Sequence, residues 1–364
     1  MLNFVFEPTV PYNSLPPLPP KVNLLTPSIF KKTIEANRAL AELKGFASLL
    51  PDQNILINSL VLKEAKDSSE VENIITTHDE LYKAFSIKGN ILNPALKEVL
   101  NYREAVWTGY NLIKERGFIT TREIIRIQEV LEKNNAGIRT QSGTALRNAK
   151  TGEVIYTPPF GPDIIRKKLA NLEVFMNTED DGLDPLIKMA LIHYQFEAIH
   201  PFYDGNGRTG RILNVLYLIF KGLLHQPILY LSNYIISNKN EYYQGLSRIR
   251  HENKWEDWIL YILDAVEKTA VSTISTIEDI RKLYEEATIK VKSELPQIYS
   301  HELMEVIFNQ PYTKVAFLVE RKIVARQQAA VYLKKLENIG LLESKKAGRE
   351  MLYLNRGLLN ILSD

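Results

Sequence analysis

Apolar positions recur at helical spacing along most of the chain. One stripe runs through Ile29, Thr33, Ala36, Leu40, Leu43 and Leu50 at intervals of three to four and seven, as a core-facing helix presents. Further helical stretches are predicted at about 54–66, 69–85, 94–115, 121–134, 163–178, 184–197, 207–222, 238–250 and 255–290. The expected fold class is therefore mainly α, with no internal repeat of fixed period. Seven of the 17 prolines fall in the first 27 residues, including the run Leu15 to Pro20. They predict an extended, polyproline-like arm ahead of the first helix.

Two segments break the helical period. Thr151-Gly152 signals a turn, and Glu153 to Thr157 is a short β-rich run closed by Pro158 and Pro159. A small hairpin over about 143–159 is predicted, with an edge able to take up an extended peptide by strand addition. The second exception is residues 295–364. Helices at about 300–309, 313–321 and 325–338 precede two short strands around the basic turn Lys345-Lys346-Ala347-Gly348-Arg349. That order resembles a winged helix-turn-helix. Between 311 and 335 it carries Lys314, Arg321, Lys322, Arg326, Lys334 and Lys335 against one acid, Glu320. DNA is therefore a candidate partner of residues 295–364, with Arg326, Gln327 and Gln328 placed to read bases.

Composition narrows the classes. A chain of 364 residues has room for two to three domains at about 150 residues each. Its 45% hydrophobic and 24% charged content is that of a globular protein rather than a disordered or fibrous one. There is no cysteine, which excludes disulfides, thiolate metal sites and a cysteine nucleophile and fits a reducing compartment. The 45 basic and 43 acidic residues nearly cancel, so any anion site must be local. The N-terminus has no basic region followed by an apolar run, and Ile212 to Phe220 is too short to span a bilayer. A cytoplasmic protein with no membrane partner is expected.

The densest cluster of chemical groups is His200-Pro-Phe-Tyr-Asp204-Gly-Asn-Gly-Arg208-Thr-Gly-Arg211. Gly205-x-Gly207-x-x-Gly210 matches a dinucleotide fingerprint, but a helical stretch precedes it and no acid follows until Glu241. A P-loop fails as well, because Arg211-Ile212 stands where Lys-Ser/Thr belongs. What remains is a glycine-rich loop entering a helix, which presents bare amides and a positive dipole end to an anion. Arg208 and Arg211, three apart, share one face of the first turn and suit a polyphosphate. Asp204 is a hard oxygen ligand of the kind Mg²⁺ takes beside phosphates, and His200 is a general base near neutral pH. Together they suit transfer of a phosphorus group onto a hydroxyl.

Position for position, this segment resembles the Fic-domain motif, His-Pro-Phe-x-Asp-Gly-Asn-Gly-Arg-x-x-Arg. The resemblance implies a Fic helical bundle at 101–290 and transfer of AMP from ATP to a Ser, Thr or Tyr hydroxyl of a protein. By resemblance His200 is the base and Asp204 holds Mg²⁺. Gly205, Asn206 and Gly207 form the anion hole, and Arg208 and Arg211 meet the outer phosphates. Phe202 is the loop's buried anchor. Tyr242 corresponds to a residue near the nucleotide base, although a core aromatic would fit equally. Ile155, Tyr156 and Thr157 fall on the target-docking flap.

A second resemblance lies at Ser68-Ser-Glu-Val-Glu72-Asn73, which matches the family's inhibitory motif, Ser/Thr-x-x-x-Glu-Gly/Asn. The same residues read as a capping box, Ser69 with Glu72, opening a helix over 68–85. On the family reading, Ser68, Glu72 and Asn73 form an inhibitory element in which Glu72 pairs with Arg211 and misaligns ATP. Residues 1–100 are then an N-terminal arm and inhibitory region ahead of the core. Removal of AMP by the same site, self-modification, a homodimer and a DNA-binding regulator with a nucleotide-sensing domain are the further expectations.

Overall fold

The computed structural model describes residues 6–48, 53–87, 93–148, 151–348 and 350–363, with side chains left undescribed at 48 and 53–58. In chain order the elements are α1 (Pro27–Ser48), α2 (Gln53–Val71), α3 (His78–Ser86), α4 (Pro94–Arg116), α5 (Thr121–Glu132), β1 (Leu146–Arg147) and β2 (Val154–Tyr156). Next come α6 (Pro162–Asn177), α7 (Pro185–Ile199), α8 (Asn206–Phe220), α9 (Leu231–Ser237), α10 (Lys239–Glu252) and α11 (Trp255–Glu294). The chain closes with α12 (His301–Phe308), β3 (Tyr312–Thr313), α13 (Val315–Glu320), α14 (Arg326–Asn338), β4 (Glu343–Ala347), β5 (Glu350–Leu354) and α15 (Arg356–Ser363). The fold is mainly α, as the periodicity predicts.

Two compact units share these elements: Met1–Ala41 with Asn101–Ala270, and Glu42–Leu100 with Val271–Asp364. They do not follow the three consecutive segments expected from the sequence. Residues 42–100 join the C-terminal residues, because their apolar faces are buried there.

The first unit is built around α7. Its sequence is apolar on every side and nearly every residue is buried, the pattern of a central helix. Helices α6 and α8 pack against it, and α5 packs on α8. Trp258 of α11 donates its indole N–H to the Ala190 carbonyl at 2.8 Å, fixing α11 on α7. Lys188 points into this packing, bonded to Asp181 at 2.5 Å and to the Thr178 carbonyl at 2.8 Å. The proline-rich arm is packed rather than loose: Phe6, Tyr12, Leu15, Leu18 and Leu24 are buried. Asn171 brackets Leu18, accepting its N–H at 2.8 Å and donating to its carbonyl at 3.0 Å.

In the second unit the expected 68–85 helix is two helices. α2 ends at Val71, where the amides of Asn73 and Ile74 donate to the carbonyls of Glu70 (2.9 Å) and Ser69 (3.0 Å). Asn73 is left-handed, at φ 64°. This is a Schellman termination with Glu72 at the cap. Ser69 and Glu72 therefore close a helix and do not open one, which corrects the capping-box reading. The real capping box is Thr77 with Glu80, at the start of α3.

The C-terminal part combines α12, α13, α14 and α15 with three short strands. Its sheet is antiparallel in the order β3-β5-β4, with α13 and α14 packed as the helix pair. β3 and α15 lie outside the expected elements, although Leu358, Leu359 and Leu362 give α15 one buried apolar face. α15 packs on α2 and α3, and the Tyr312 hydroxyl donates to Asp79 of α3. Gln310 Nε2 donates to Ser86 Oγ at 3.1 Å and to the Tyr312 carbonyl at 3.0 Å. Among the described residues no helix is long and apolar enough to cross a membrane.

Candidate active site

His200 is the C-cap of α7 and adopts a left-handed conformation, φ 48° and ψ 59°. A non-glycine residue persists there only when its surroundings demand it. The reversal turns the chain out of the core helix, so the half-buried His200 stands at the lip of a loop. That loop is closed by Asn206, whose side chain accepts the Phe202 N–H and donates to the Phe202 carbonyl, both at 2.9 Å. Phe202 is fully buried beneath it and packs beside Phe196, ring centroids 6.3 Å apart. Asn206 thus carries a load beyond its backbone amide.

Gly205 is the N-cap of α8 at φ 75°, and a Cβ there would run into the Glu132 carboxylate. Glycine is required by conformation and by space. The turn sends Asn206, Gly207 and Arg208 into the first turn of α8, the anion-binding end of the helix. Asp204, just before it, is exposed and accepts the Gly205 N–H through Oδ1 at 2.7 Å.

Arg208 and Arg211 are each 3% exposed, so their charges are held within the packed body. Arg208 Nη2 lies 2.9 Å from Glu132 Oε1 at the end of α5 and 4.0 Å from Asp204 Oδ1. Glu132 escaped sequence reasoning: it ends an amphipathic stripe and sits 76 positions before its partner. The Arg211 charge acts on His193 of α7. Burial, then the Arg211 charge, push the His193 imidazole down to about 3, so it is a neutral core group.

Family models match three stretches of the chain. The Fic/DOC family N-terminal model covers residues 30–111, the Fic/DOC family model 118–218, and the C-terminal domain model of SoFic-like protein adenylyltransferases 283–358. The chain carries a Fic domain at residues 118–218. It is 24% identical over 232 residues to the protein adenylyltransferase Fic of Aedes aegypti, across 58% of this chain and 43% of that protein. The Drosophila yakuba protein of the same name is 33% identical over 115 residues, 31% of this chain and 22% of that one. The matches thus span less than half of these relatives. A Fic family protein from Desulfovibrio desulfuricans G20 has a similar fold, with TM-score 0.58 at 18% identity over 91% of this chain and 97% of that one. Fic-1 of C. elegans gives 0.52 at 19% identity over 68% of this chain and 74% of that one.

Within the Fic domain the hairpin forms where expected, with Leu146 opposite Tyr156 and Arg147 opposite Val154. Its three expected residues play different parts. Ile155 is 42% exposed, Tyr156 is buried with its hydroxyl donating to the Ala198 carbonyl at 2.5 Å, and Thr157 is half-buried. Tyr156 is therefore an anchor under the hairpin rather than a docking side chain. The arm supports the same spot: Tyr12 N–H donates to the Thr157 carbonyl at 3.0 Å, and Thr157 Oγ1 donates to the Pro8 carbonyl at 2.7 Å. Tyr242 is 2% exposed, with its hydroxyl 2.9 Å from His193 Nε2 and its ring among Tyr243, Trp258 and Tyr261. The core-aromatic reading of Tyr242 is the one its burial favours.

Arg139 gave no sequence signal. It is fully buried, and its guanidinium donates to the carbonyls of His200 (2.7 Å), Ile199 (3.3 Å) and Pro159 (2.5 Å). Among the described residues no group of three or more His, Cys, Asp or Glu could hold a metal ion by itself.

Proposed function

We propose that the Fic domain transfers AMP from ATP to a Ser, Thr or Tyr hydroxyl of a protein, and that Glu72 restrains it by pairing with Arg211. The observation that carries this reading is the left-handed His200 standing over a loop that Asn206 locks onto the N-terminus of α8. His200 takes the proton of the target hydroxyl, whose oxygen attacks the α-phosphorus. The bond to the pyrophosphate oxygen breaks as the new P–O bond forms, and pyrophosphate carries its charge away. The amides of Gly205, Asn206 and Gly207 hold the developing charge, with Arg208 and Arg211 on the outer phosphates. Asp204 is one exposed carboxylate, a fit for Mg²⁺, which is bound by one or two carboxylates together with substrate phosphates. Asp204 would hold the ion, which would supply neutralisation of phosphate charge.

Removal of AMP uses the same residues: water attacks the phosphorus of the AMP–protein ester, the bond to the target oxygen breaks, that oxygen takes up a proton through His200, and AMP leaves with the water's oxygen. Self-modification needs only a chain hydroxyl within reach of His200. We place the protein in the cytoplasm, in keeping with its lack of cysteine. A second reading, DNA binding by the C-terminal domain, is favoured by the exposure of Arg326, Gln327 and Gln328 at the start of α14. A salt-dependent gel shift tests it.

The main test compares wild type, Glu72→Gly, His200→Ala and the double variant with α-labelled ATP and Mg²⁺, following label on protein. Labelling gained by Glu72→Gly and lost in the double variant is the expected result. No label from any variant in a cell extract overturns the transferase reading.

A further inference from the structure

The three acceptors of Arg139 come from two separate pieces of chain. The His200 and Ile199 carbonyls lie at the C-terminus of α7, where helix carbonyls lack intrahelical partners and the dipole is negative. The Pro159 carbonyl lies three residues past the end of β2. The Arg139 N–H adds a fourth tie, to the Pro201 carbonyl at 2.9 Å. One rigid guanidinium therefore spans the cap of the catalytic histidine and the exit of the hairpin.

We infer that Arg139 is a positioning residue that sets the hairpin against His200, so that a target strand docked on the hairpin presents its hydroxyl to that imidazole. The inference rests on the adenylyl-transfer reading of the site. Two observations support a spacing role over simple packing. The hairpin's other inward tie, Tyr156 to the Ala198 carbonyl, ends two residues before His200, so both bonds measure the hairpin from the same helix end. The arm holds the outer side at Thr157, and Phe160 N–H donates to Asn13 Oδ1 at 2.8 Å, so the exit strand is gripped from both faces. A planar fork can serve both pieces at fixed geometry, whereas a lysine supplies a charge to one.

The test uses the full chain carrying Glu72→Gly, with Arg139→Lys and Arg139→Gln added separately. The probe is α-labelled ATP with a cell extract titrated as the source of target. Hydrogen exchange at residues 153–158 is followed in parallel. Arg139→Lys keeps a cation at the end of α7, so the expected result is an unchanged apparent KM for ATP. The extract needed for half-maximal labelling rises about tenfold, and exchange at 153–158 quickens with α7 unaffected. A loss of maximal rate with both half-saturation values unchanged, or unaltered exchange at 153–158, overturns the inference. Altered exchange in a protein that never labels a target keeps the bridge between hairpin and helix and removes the adenylyl-transfer reading instead.

Discussion

Glu132 Oε1 and Arg208 Nη2 lie 2.9 Å apart with side chains 12% and 4% exposed, so the first arginine of the Fic motif is held by a carboxylate from another helix. Truncating one partner of such a pair strands the other charge. Glu132→Ala is expected to cost about 3 kcal/mol in urea unfolding. On the proposed function it should also weaken ATP binding in calorimetry, because Arg208 loses its fixed direction. Glu132→Gln, which keeps an oxygen beside the guanidinium, should lose less of both.

Asn206 closes the loop with two bonds to Phe202. Asn206→Ala removes both and is expected to cost about 2 kcal/mol. On the proposed function, protein labelling in the Glu72→Gly background should fall at least a hundredfold. Asn206→Asp can accept the Phe202 N–H but cannot donate to its carbonyl, and should recover part of the stability alone.

Asn73 is left-handed at the end of α2, where glycine is at ease and a β-branched residue is strained. Asn73→Gly should therefore leave labelling at the wild-type level. Asn73→Val is expected to loosen the turn that carries Glu72 by about 1–2 kcal/mol. On the inhibitory reading, labelling should then rise several-fold, part of the way to that of Glu72→Gly.

The stability of the fold should depend on pH through His193. Its proton affinity drops on folding from an ordinary value near 6.5 to about 3, so the unfolded chain binds the proton more readily. The stability it contributes is complete above about pH 6.5 and is lost progressively as pH falls toward 3. His78 acts in the same direction, pushed down to about 4 by burial and then by Lys66 and Lys63. The urea midpoint of wild type should fall between pH 7 and pH 5, and His193→Phe should show a shallower fall, the remainder belonging to His78.

Features with local causes were legible in the sequence. The glycine loop, the turn at Thr151-Gly152 and the apolar runs of α7 and α8 each arise within a few residues, and each formed where expected. The break in the 68–85 segment was also local. Thr77-x-x-Glu80 is a capping box in plain sight, but Ser69-x-x-Glu72 carries the same letters at the opposite kind of helix end. Letters alone do not distinguish a serine that accepts an N–H from one whose hydroxyl donates to the Ala65 carbonyl one turn back, as Ser69 does. The partners that complete the site were not legible, because Glu132 and Arg139 reach it across 76 and 61 positions and belong to no spacing rule. Tyr242 shows the same limit, since its place depends on His193 and Trp258.

The joining of residues 42–100 with the C-terminal residues changes what shortening the chain would mean. A chain cut after residue 294 would lose more than an appendage. It would strip Tyr312 from Asp79 and Gln310 from Ser86, and would bare the surfaces of α2 and α3 that α15 covers. The lost cover lies on the two helices that flank the Glu72 turn. On the inhibitory reading, enzymatic gain after such a cut would report a loosened Glu72 turn, and aggregation after it would report the same event in another form.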